Sequence, residues 1–292
     1  TLAEDRPDLV IVVGDVNSTM AGTLVAVKMG IPVAHVEAGL RSFDRTMPEE
    51  INRLLTDQMA SLLFTTESSA NENLRREGVS EEKVHFVGNV MIDTLFLNRS
   101  KAVPAVKTLS GLEDKDIADS ENGFAVLTLH RPSNVDDPVV LKRLLETLVE
   151  ISQSLPIVFP VHPRTADRIE KANLGSLLQN GHIARLPPFG YLELLGLMES
   201  ARLVLTDSGG IQEETTALGV PCITLRENTE RPITVTEGTN TVVGSDPGRI
   251  MACFRDVMES GGKAGRVPEL WDGKAAERIA KVIREWAKTR IS

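Results

Sequence analysis

Two glycines follow Asp207 and Ser208 directly after an apolar run in ARLVLTDSGGIQEE, and helix-forming residues continue to Gly219. A strand, a tight turn and a helix start in that order aim the free N–H groups around Ser208, Gly209 and Gly210 at one point. There the helix dipole adds positive potential, and the absent Cβ atoms admit an anion. The segment can cradle a phosphate. The same residues would equally serve as an ordinary helix N-terminus capped by Ser208, with Glu213 and Glu214 in the first turn.

Other chemistry-bearing residues close the apolar runs. Asp15 follows VIVVG, Glu37 follows VAHV, His130 ends AVLTL, His162 ends IVFPV, and Asp207 with Ser208 follows LVLT. Each alone reads as a turn residue, a cap or a satisfied buried histidine. Together they stand where open parallel α/β sheets bind ligands, beyond the carboxyl ends of the strands. In RTMPEEINR, Pro48 suits a first helical turn. The adjacent Glu49 and Glu50 cannot point the same way, so one can face a ligand while the other meets solvent. HRPSN adds Arg131, HPRT adds Arg164, and TLRENTERP offers Arg226 and Arg231 for a diphosphate, each with a surface ion pair as the plainer alternative.

The elements that must carry these residues are short runs rich in Val, Ile and Leu alternating with segments of helical period. That is the pattern of buried parallel strands joined by crossover helices. Strands are expected over 8–14, 31–37, 62–66 and 84–88, then over 124–130, 156–162, 182–187, 201–207, 221–226 and 239–244. Between the two series the periodicity is weakest, with Pro104, Gly111 and Gly123 as punctuation. This predicts a first α/β domain over 1–110, a second over 111–270 and a closing amphipathic helix over 271–292. The helix would carry Ala276, Ile279, Ala280, Val282, Ile283 and Trp286 on one face.

Composition narrows the partners. The chain has 292 residues, 41 acidic against 32 basic, for a net charge of -9, and no Lys/Arg cluster suited to a polyanion, so nucleic acid is not expected. Cys222 and Cys253 are the two cysteines, too few for a disulfide framework or a thiolate metal site. The opening TLAEDRPDLV lacks a signal-peptide pattern, and no apolar run reaches the roughly 20 residues that a bilayer requires. A soluble, cytoplasmic protein with no membrane partner is the expectation. No G-x-G-x-x-G follows a strand and no metal-ligand cluster occurs, so neither a nicotinamide cofactor nor a metal is expected.

Taken together, the motifs GDVNS (14–18), HVEAGLRS (35–42), MPEEINR (47–53), GN (88–89), HRPSN (130–134), TDSGGIQEE (206–214) and RENTERP (226–232) resemble those of the non-hydrolysing UDP-N-acetylglucosamine 2-epimerases, in family order along nearly the whole chain. The resemblance implies two Rossmann-like domains with parallel sheets in a GT-B-like arrangement, a homodimer in many members, and interconversion of UDP-GlcNAc with UDP-ManNAc for surface polysaccharides without a cofactor. It implies Asp15, Glu37, Glu49 and His130 as catalytic residues, and Ser208, Gly209, Gly210, Glu214 and Arg231 as the UDP-binding set, with Glu214 on the ribose. Arg131, His162, Arg164, Tyr191 and Arg226 are secondary candidates. One departure stands out. The family pattern begins with a further strand and a Gly-Thr-Arg-Pro-Glu type loop, so the first domain is expected to be N-terminally shortened.

C2 of a GlcNAc ring has no adjacent carbonyl, so direct deprotonation yields no stabilised carbanion. Elimination of UDP to 2-acetamidoglucal followed by readdition is the route the family is understood to use. Rival readings are a hydrolysing epimerase, a GT-B glycosyltransferase, and a non-catalytic UDP-sugar binding module.

Overall fold

The computed structural model describes residues 2, 4–110, 117 and 120–291. Among the described residues ten strands form two wholly parallel sheets. The first holds β1 (Val10–Val13), β2 (Val33–Ala38), β3 (Leu62–Thr65) and β4 (Val84–Phe86), in the order β1-β2-β3-β4. The second holds β5 (Ala125–Thr128), β6 (Ile157–Pro160), β7 (Ile183–Leu186), β8 (Leu203–Thr206), β9 (Cys222–Thr224) and β10 (Asn240–Val242), in the order β10-β9-β8-β5-β6-β7. Each expected strand is present, one to three residues shorter at its ends, with β2 extending one residue further to Ala38.

The central strands of both sheets are buried on both faces, which is why they read as continuous apolar runs, whereas the edge strand β1 leaves Ile11 and Val13 about half exposed. In the first, Val33 and Leu63 pack to one side with Ala26 and Leu74. Ala34, Val36, Leu62 and Phe64 pack to the other, against Ile279, Val282, Ile283 and Trp286 of the Ala275–Ile291 helix. In the second, Leu127, Phe159 and Leu205 face one core while Val126, Val158 and Val204 face the other. The period of two along each strand sorts the residues between them.

Two compact units result, one of residues up to Thr94 together with Pro268 onward, the other Leu95–Val267. The division falls between Thr94 and Leu95, inside the Val90–Arg99 helix, rather than near residue 110. Residues 111–116 and 118–119 of the expected linker lie outside the described residues. The segment before them belongs to the second unit for a physical reason. Val103 N–H donates to the Leu192 carbonyl at 3.0 Å, Arg99 pairs with Glu199 at 2.8 Å, and Ala105 and Leu109 are buried with Leu197 and Met198.

The closing helix begins at Ala275 and belongs to the first unit. Asp93 accepts the N–H groups of Ala275 and Ala276 at 3.0 and 2.7 Å, satisfying donors that a helix start leaves open. Just upstream, the buried Trp271 donates its indole N–H to the Thr66 carbonyl at 3.0 Å. That bond gives the ring's polar edge the partner it needs inside a core.

Close backbone approach fixes one position in the second unit. A Cβ on Gly196 would lie 1.8 Å from the Val103 carbonyl oxygen, so the Tyr191–Ser200 helix and the 103–104 backbone can meet only at glycine. Gly196→Ala is expected to destabilise the fold by about 3 kcal/mol through forced overpacking. Urea unfolding followed by circular dichroism reads this as a lowered midpoint.

Candidate functional site

The strand order of the second sheet reverses between β5 and β8. From β5 the chain proceeds outward through β6 and β7, and from β8 it proceeds the other way through β9 and β10. Loops leaving the carboxyl ends of these two neighbours diverge, leaving the crevice in which doubly wound sheets bind nucleotides. His130 and Arg131 leave β5 there, and Asp207, Ser208 and Gly209 leave β8.

Asp207 joins the two loops. Its fully buried carboxylate accepts the N–H of His130 at 3.0 and 3.1 Å, the N–H of Arg131 at 2.8 Å and the Asn134 side chain at 3.1 Å, and it meets His130 Nδ1 at 3.0 Å. Burial works against its charge, but the His130 ring and these amides outweigh burial and hold Asp207 below the usual carboxylate range. Sequence alone placed Asp207 among the chemistry-bearing residues that close the strands; the structure makes it the clamp that fixes His130.

The Gly209–Leu218 helix starts beside this clamp. Ser208 makes no side-chain cap, and its N–H is taken by Thr206 Oγ1 at 3.0 Å, so the plain capping alternative does not describe this turn. Gly209 and Gly210 open the helix, where N–H groups lack intrahelical partners. A Cβ on Gly209 would lie 2.8 Å from Glu230 Oε1, which accounts for glycine there.

Both arginines expected at a diphosphate are buried and held by acids, Arg226 by Glu230 at 2.7 Å and Arg231 by Glu213 at 3.0 Å. Arg131 lies 3.6 Å from the same Glu230. Burial would raise Glu230, but the bond and charge of Arg226 and the charge of Arg231 pull it down to about 2. Tyr191 donates its hydroxyl to Glu214 at 2.8 Å. Burial raises Glu214, and the Tyr191 bond offsets only part of that rise.

A cavity of about 190 Å3 opens next to the cradle, walled by His130, Pro188, Phe189, Leu194, Ser208 and Ile211 among others. His162 also lines it, with its ring 5.7 Å from that of His130. The His162 Nδ1 accepts the Arg164 N–H at 3.2 Å and so caps the Pro163–Lys171 helix. Arg164 itself turns to Asp136 in a half-exposed ion pair and is not brought to the crevice. Gln212, which sequence reasoning passed over, ties the cradle down. Its amide donates to the Ser208 carbonyl at 3.1 Å and accepts from Thr229 at 2.7 Å and Asn240 at 3.1 Å.

In the first unit, Asp15 follows β1 and pairs with Arg53 through Nε at 2.9 Å and a terminal nitrogen at 2.6 Å. Asn52 donates to the Asp15 carbonyl at 2.8 Å. Both holders stand on the Pro48–Met59 helix. Glu50 of that helix is buried, accepts from Ser42 N at 2.9 Å and Phe43 N at 3.0 Å, and pairs with Arg53 at 2.8 Å. Of the two adjacent glutamates, Glu50 thus turns inward to hold the 42–43 loop, rather than one of the pair simply meeting solvent. Glu49 is left half-buried.

Glu37 occupies the most constrained backbone. Val36 pairs with Phe64 and Ala38 with Thr65, so the register shifts at Glu37, which forms a bulge at φ 75°. A non-glycine residue in the left-handed region costs about 1–3 kcal/mol and persists where the surroundings impose it, commonly at functional sites. Glu37 Oε2 lies 3.7 Å from the place a Gly14 Cβ would occupy, so the bulge sets this carboxylate against the turn that carries Asp15.

The helix holding these groups has an inverted pattern. Glu50, Asn52, Arg53 and Asp57 are buried, while Ile51 and Leu55 are 38% and 46% exposed. Its signal was available in the spacing of Glu50, Arg53 and Asp57, which fall three and four apart on one face.

A family model described as UDP-N-acetylglucosamine 2-epimerase matches residues 1–284. A UDP-N-acetylglucosamine 2-epimerase of Methanococcus maripaludis is 44% identical over 262 residues, covering 89% of this chain and 71% of the relative. A UDP-2,3-diacetamido-2,3-dideoxy-D-glucuronate 2-epimerase of Pseudomonas aeruginosa is 40% identical over 290 residues, covering 97% and 76%. The crystal structure of the Methanocaldococcus jannaschii UDP-GlcNAc 2-epimerase in complex with UDP-GlcNAc and UDP superposes with a TM-score of 0.83 at 43% identity, covering 97% of this chain and 77% of that one.

The depressed carboxylates give the second unit a defined acid response. A carboxylate lowered by folding contributes stability above its ordinary value and loses that contribution as pH falls through its folded value. For Glu230 the window runs from the ordinary 4.5 down to about 2. Glu230→Gln is expected to lower stability at pH 7, because Arg226 loses its charged partner, and to make the acid limb shallower than in the parent. Urea midpoints measured across this range by circular dichroism check both effects.

Proposed function

The chain belongs to the UDP-N-acetylglucosamine 2-epimerase family, and we propose that it interconverts UDP-GlcNAc and UDP-ManNAc by eliminating and readding UDP. The observation that carries this reading is the presence, on one chain, of a clamped anion cradle at a sheet's switch point and of three carboxylates at Asp15, Glu37 and Glu49. The second unit binds the nucleotide. The diphosphate lies at the N–H groups of Gly209 and Gly210 beside Ser208, with His130 and Arg231 neutralising its charge as it departs. Glu214, oriented by Tyr191, accepts the ribose hydroxyls, and the apolar cavity at Phe189 and Leu194 takes the uracil.

One carboxylate removes the C2 proton. The C2–H electron pair becomes the C1=C2 bond, and the C1–O pair leaves with UDP. The product 2-acetamidoglucal stays bound, UDP adds back to C1, and a group on the opposite face returns a proton to C2. Asp15, Glu37 and Glu49 supply these two proton transfers. The strained bulge at Glu37 and the Arg53 clamp on Asp15 support their assignment, since geometry of this kind is what proton transfer to carbon demands.

Proton NMR of UDP-GlcNAc with the purified chain in D2O tests the reaction. UDP-ManNAc carrying deuterium at C2 is the expected product. Free ManNAc with UDP would move the chain to the hydrolysing class, and unchanged substrate despite UDP binding would make it a binding module. Asp15→Asn, Glu37→Gln and Glu49→Gln are each expected to slow turnover by about 100-fold while UDP affinity, measured by calorimetry, holds within about twofold.

The chain also acts as a homodimer in this reading. Leu24 and Val27 on the Asn17–Lys28 helix, and Ile51 and Leu55 on the helix it packs against, are exposed apolar residues of the kind an interface covers. Leu24→Asp with Leu55→Asp is expected to convert the dimer to monomer in sedimentation; a monomeric parent chain would refute the assembly.

A further inference from the structure

His35 is fully buried, and both of its ring nitrogens face acceptors. Nδ1 lies 2.6 Å from Asp57 Oδ1 and Nε2 lies 2.9 Å from the Gly14 carbonyl oxygen. A carbonyl has no proton to give, so Nε2 must donate. Asp57 is an ionised acceptor, because its other oxygen takes Arg41 at 2.7 Å and the Gly39 N–H at 3.1 Å. Nδ1 therefore donates too. A ring that donates from both nitrogens is an imidazolium.

The charged groups around it are accounted for. Asp57 comes from the Pro48–Met59 helix, Asp15 adjoins the bonded Gly14, Glu37 shares β2, and Arg41 reaches Asp57 from the following loop. Glu77 acts through Arg41, which it meets at 2.7 Å. The residues paired with His35 on the neighbouring strands, Val12 and Leu63, are apolar. Burial works to lower the His35 value. The bond and charge of Asp57, the Gly14 bond and the Glu37 charge outweigh it, so His35 titrates above its ordinary 6.5.

We propose that His35 is a positioning residue, a buried imidazolium that ties the Gly14 carbonyl to Asp57 and thereby holds the Asp15 turn against the helix carrying Arg53 and Glu49. The link to turnover rests on the epimerase reading; the charge state of the ring does not. Losing either proton sets an unprotonated nitrogen against an acceptor oxygen, and the turn is released. Turnover therefore declines as pH rises through the His35 value, while nucleotide binding in the second unit is spared.

The first measurement is nitrogen NMR of the 15N-histidine-labelled parent chain, which needs no variant. Both His35 nitrogens are expected to be protonated at pH 7, and His35 should titrate where kcat declines on the alkaline side. One unprotonated nitrogen at pH 7 overturns the proposal. His35→Gln, which cannot donate to both acceptors, is expected to lower kcat by about 100-fold, the scale of a 1 Å misplacement, with UDP affinity within about twofold and the His35-linked alkaline limb gone. A variant that is folded and keeps kcat within about threefold of the parent, or keeps the limb, also overturns it. Absence of epimerisation in the parent chain would instead refute the reading of the preceding subsection, whereas the imidazolium clamp stands or falls on the nitrogen spectrum.

Discussion

Loops that leave the ends of parallel strands carry the chemistry of this fold, yet the sheet's ladder does not extend to them. Something else must hold their backbone. In the second unit it is the Asp207 carboxylate, which accepts the amides of His130 and Arg131, the Asn134 side chain and the His130 ring. The two strands it joins are hydrogen-bonded neighbours, Ala125–Thr128 with Leu203–Thr206, so a single acid converts a shared sheet register into a shared loop geometry. The cradle glycines and His130 then keep fixed relative positions because both loops are referred to one buried group. Preorganisation of this kind is what the proposed stabilisation of a departing diphosphate would use.

The first unit meets the same demand with ion pairs. Arg53 holds Asp15 and Glu50, and Glu50 holds the 42–43 loop. Asp57 joins His35 to Arg41, and Arg41 continues to Glu77. Buried ion pairs are poor sources of net stability, because desolvation consumes much of the Coulombic gain, and an apolar replacement is often no worse. Their value here is positional. They hold the Gly14–Asp15 turn, through His35 and Arg53, and the backbone just after the left-handed Glu37, where Asp57 accepts the Gly39 N–H. Glu37 at φ 75° is not a low-energy choice for a non-glycine residue.

The ten strands were legible because strands buried on both faces spell out continuous Val, Ile and Leu runs between turn residues, a local signal. The residues that close the strands were legible for the same reason. What holds those residues was not. His35 and Asp57 are 22 positions apart, Asp15 and Arg53 are 38, and His130 and Asp207 are 77, so no local pattern announces the pairing. The grouping of residues 95–110 with the second unit was not legible for the same reason. Residues 95–110 have weak periodicity because their partners, Leu192, Gly196 and Glu199, lie far along the chain. Glu50 shows how a correct local argument stops short. Helix geometry requires Glu49 and Glu50 to diverge, but only the tertiary fold decides that the inward one is spent on a loop.

In the proposed reading a chain of net charge -9 takes up a dianionic nucleotide, and it must then concentrate its positive potential. Around the cradle it does so with arginines that are paired to acids. Arg226 and Arg231 are buried and paired with Glu230 and Glu213, and Arg131 lies near the same Glu230. A buried guanidinium with no anion would be too costly to desolvate, so each arrives with its own acid, which fixes the arginine's position before any ligand is present. The attraction on offer to a diphosphate is then the sum of oriented dipoles at the Gly209–Leu218 helix start and of arginines partly neutralised by glutamate. Such a site favours a ligand whose charge sits where the dipoles converge and gives little to a diffuse anion. That distinction suits the proposed reaction, in which UDP leaves C1 and is recaptured before it reaches solvent.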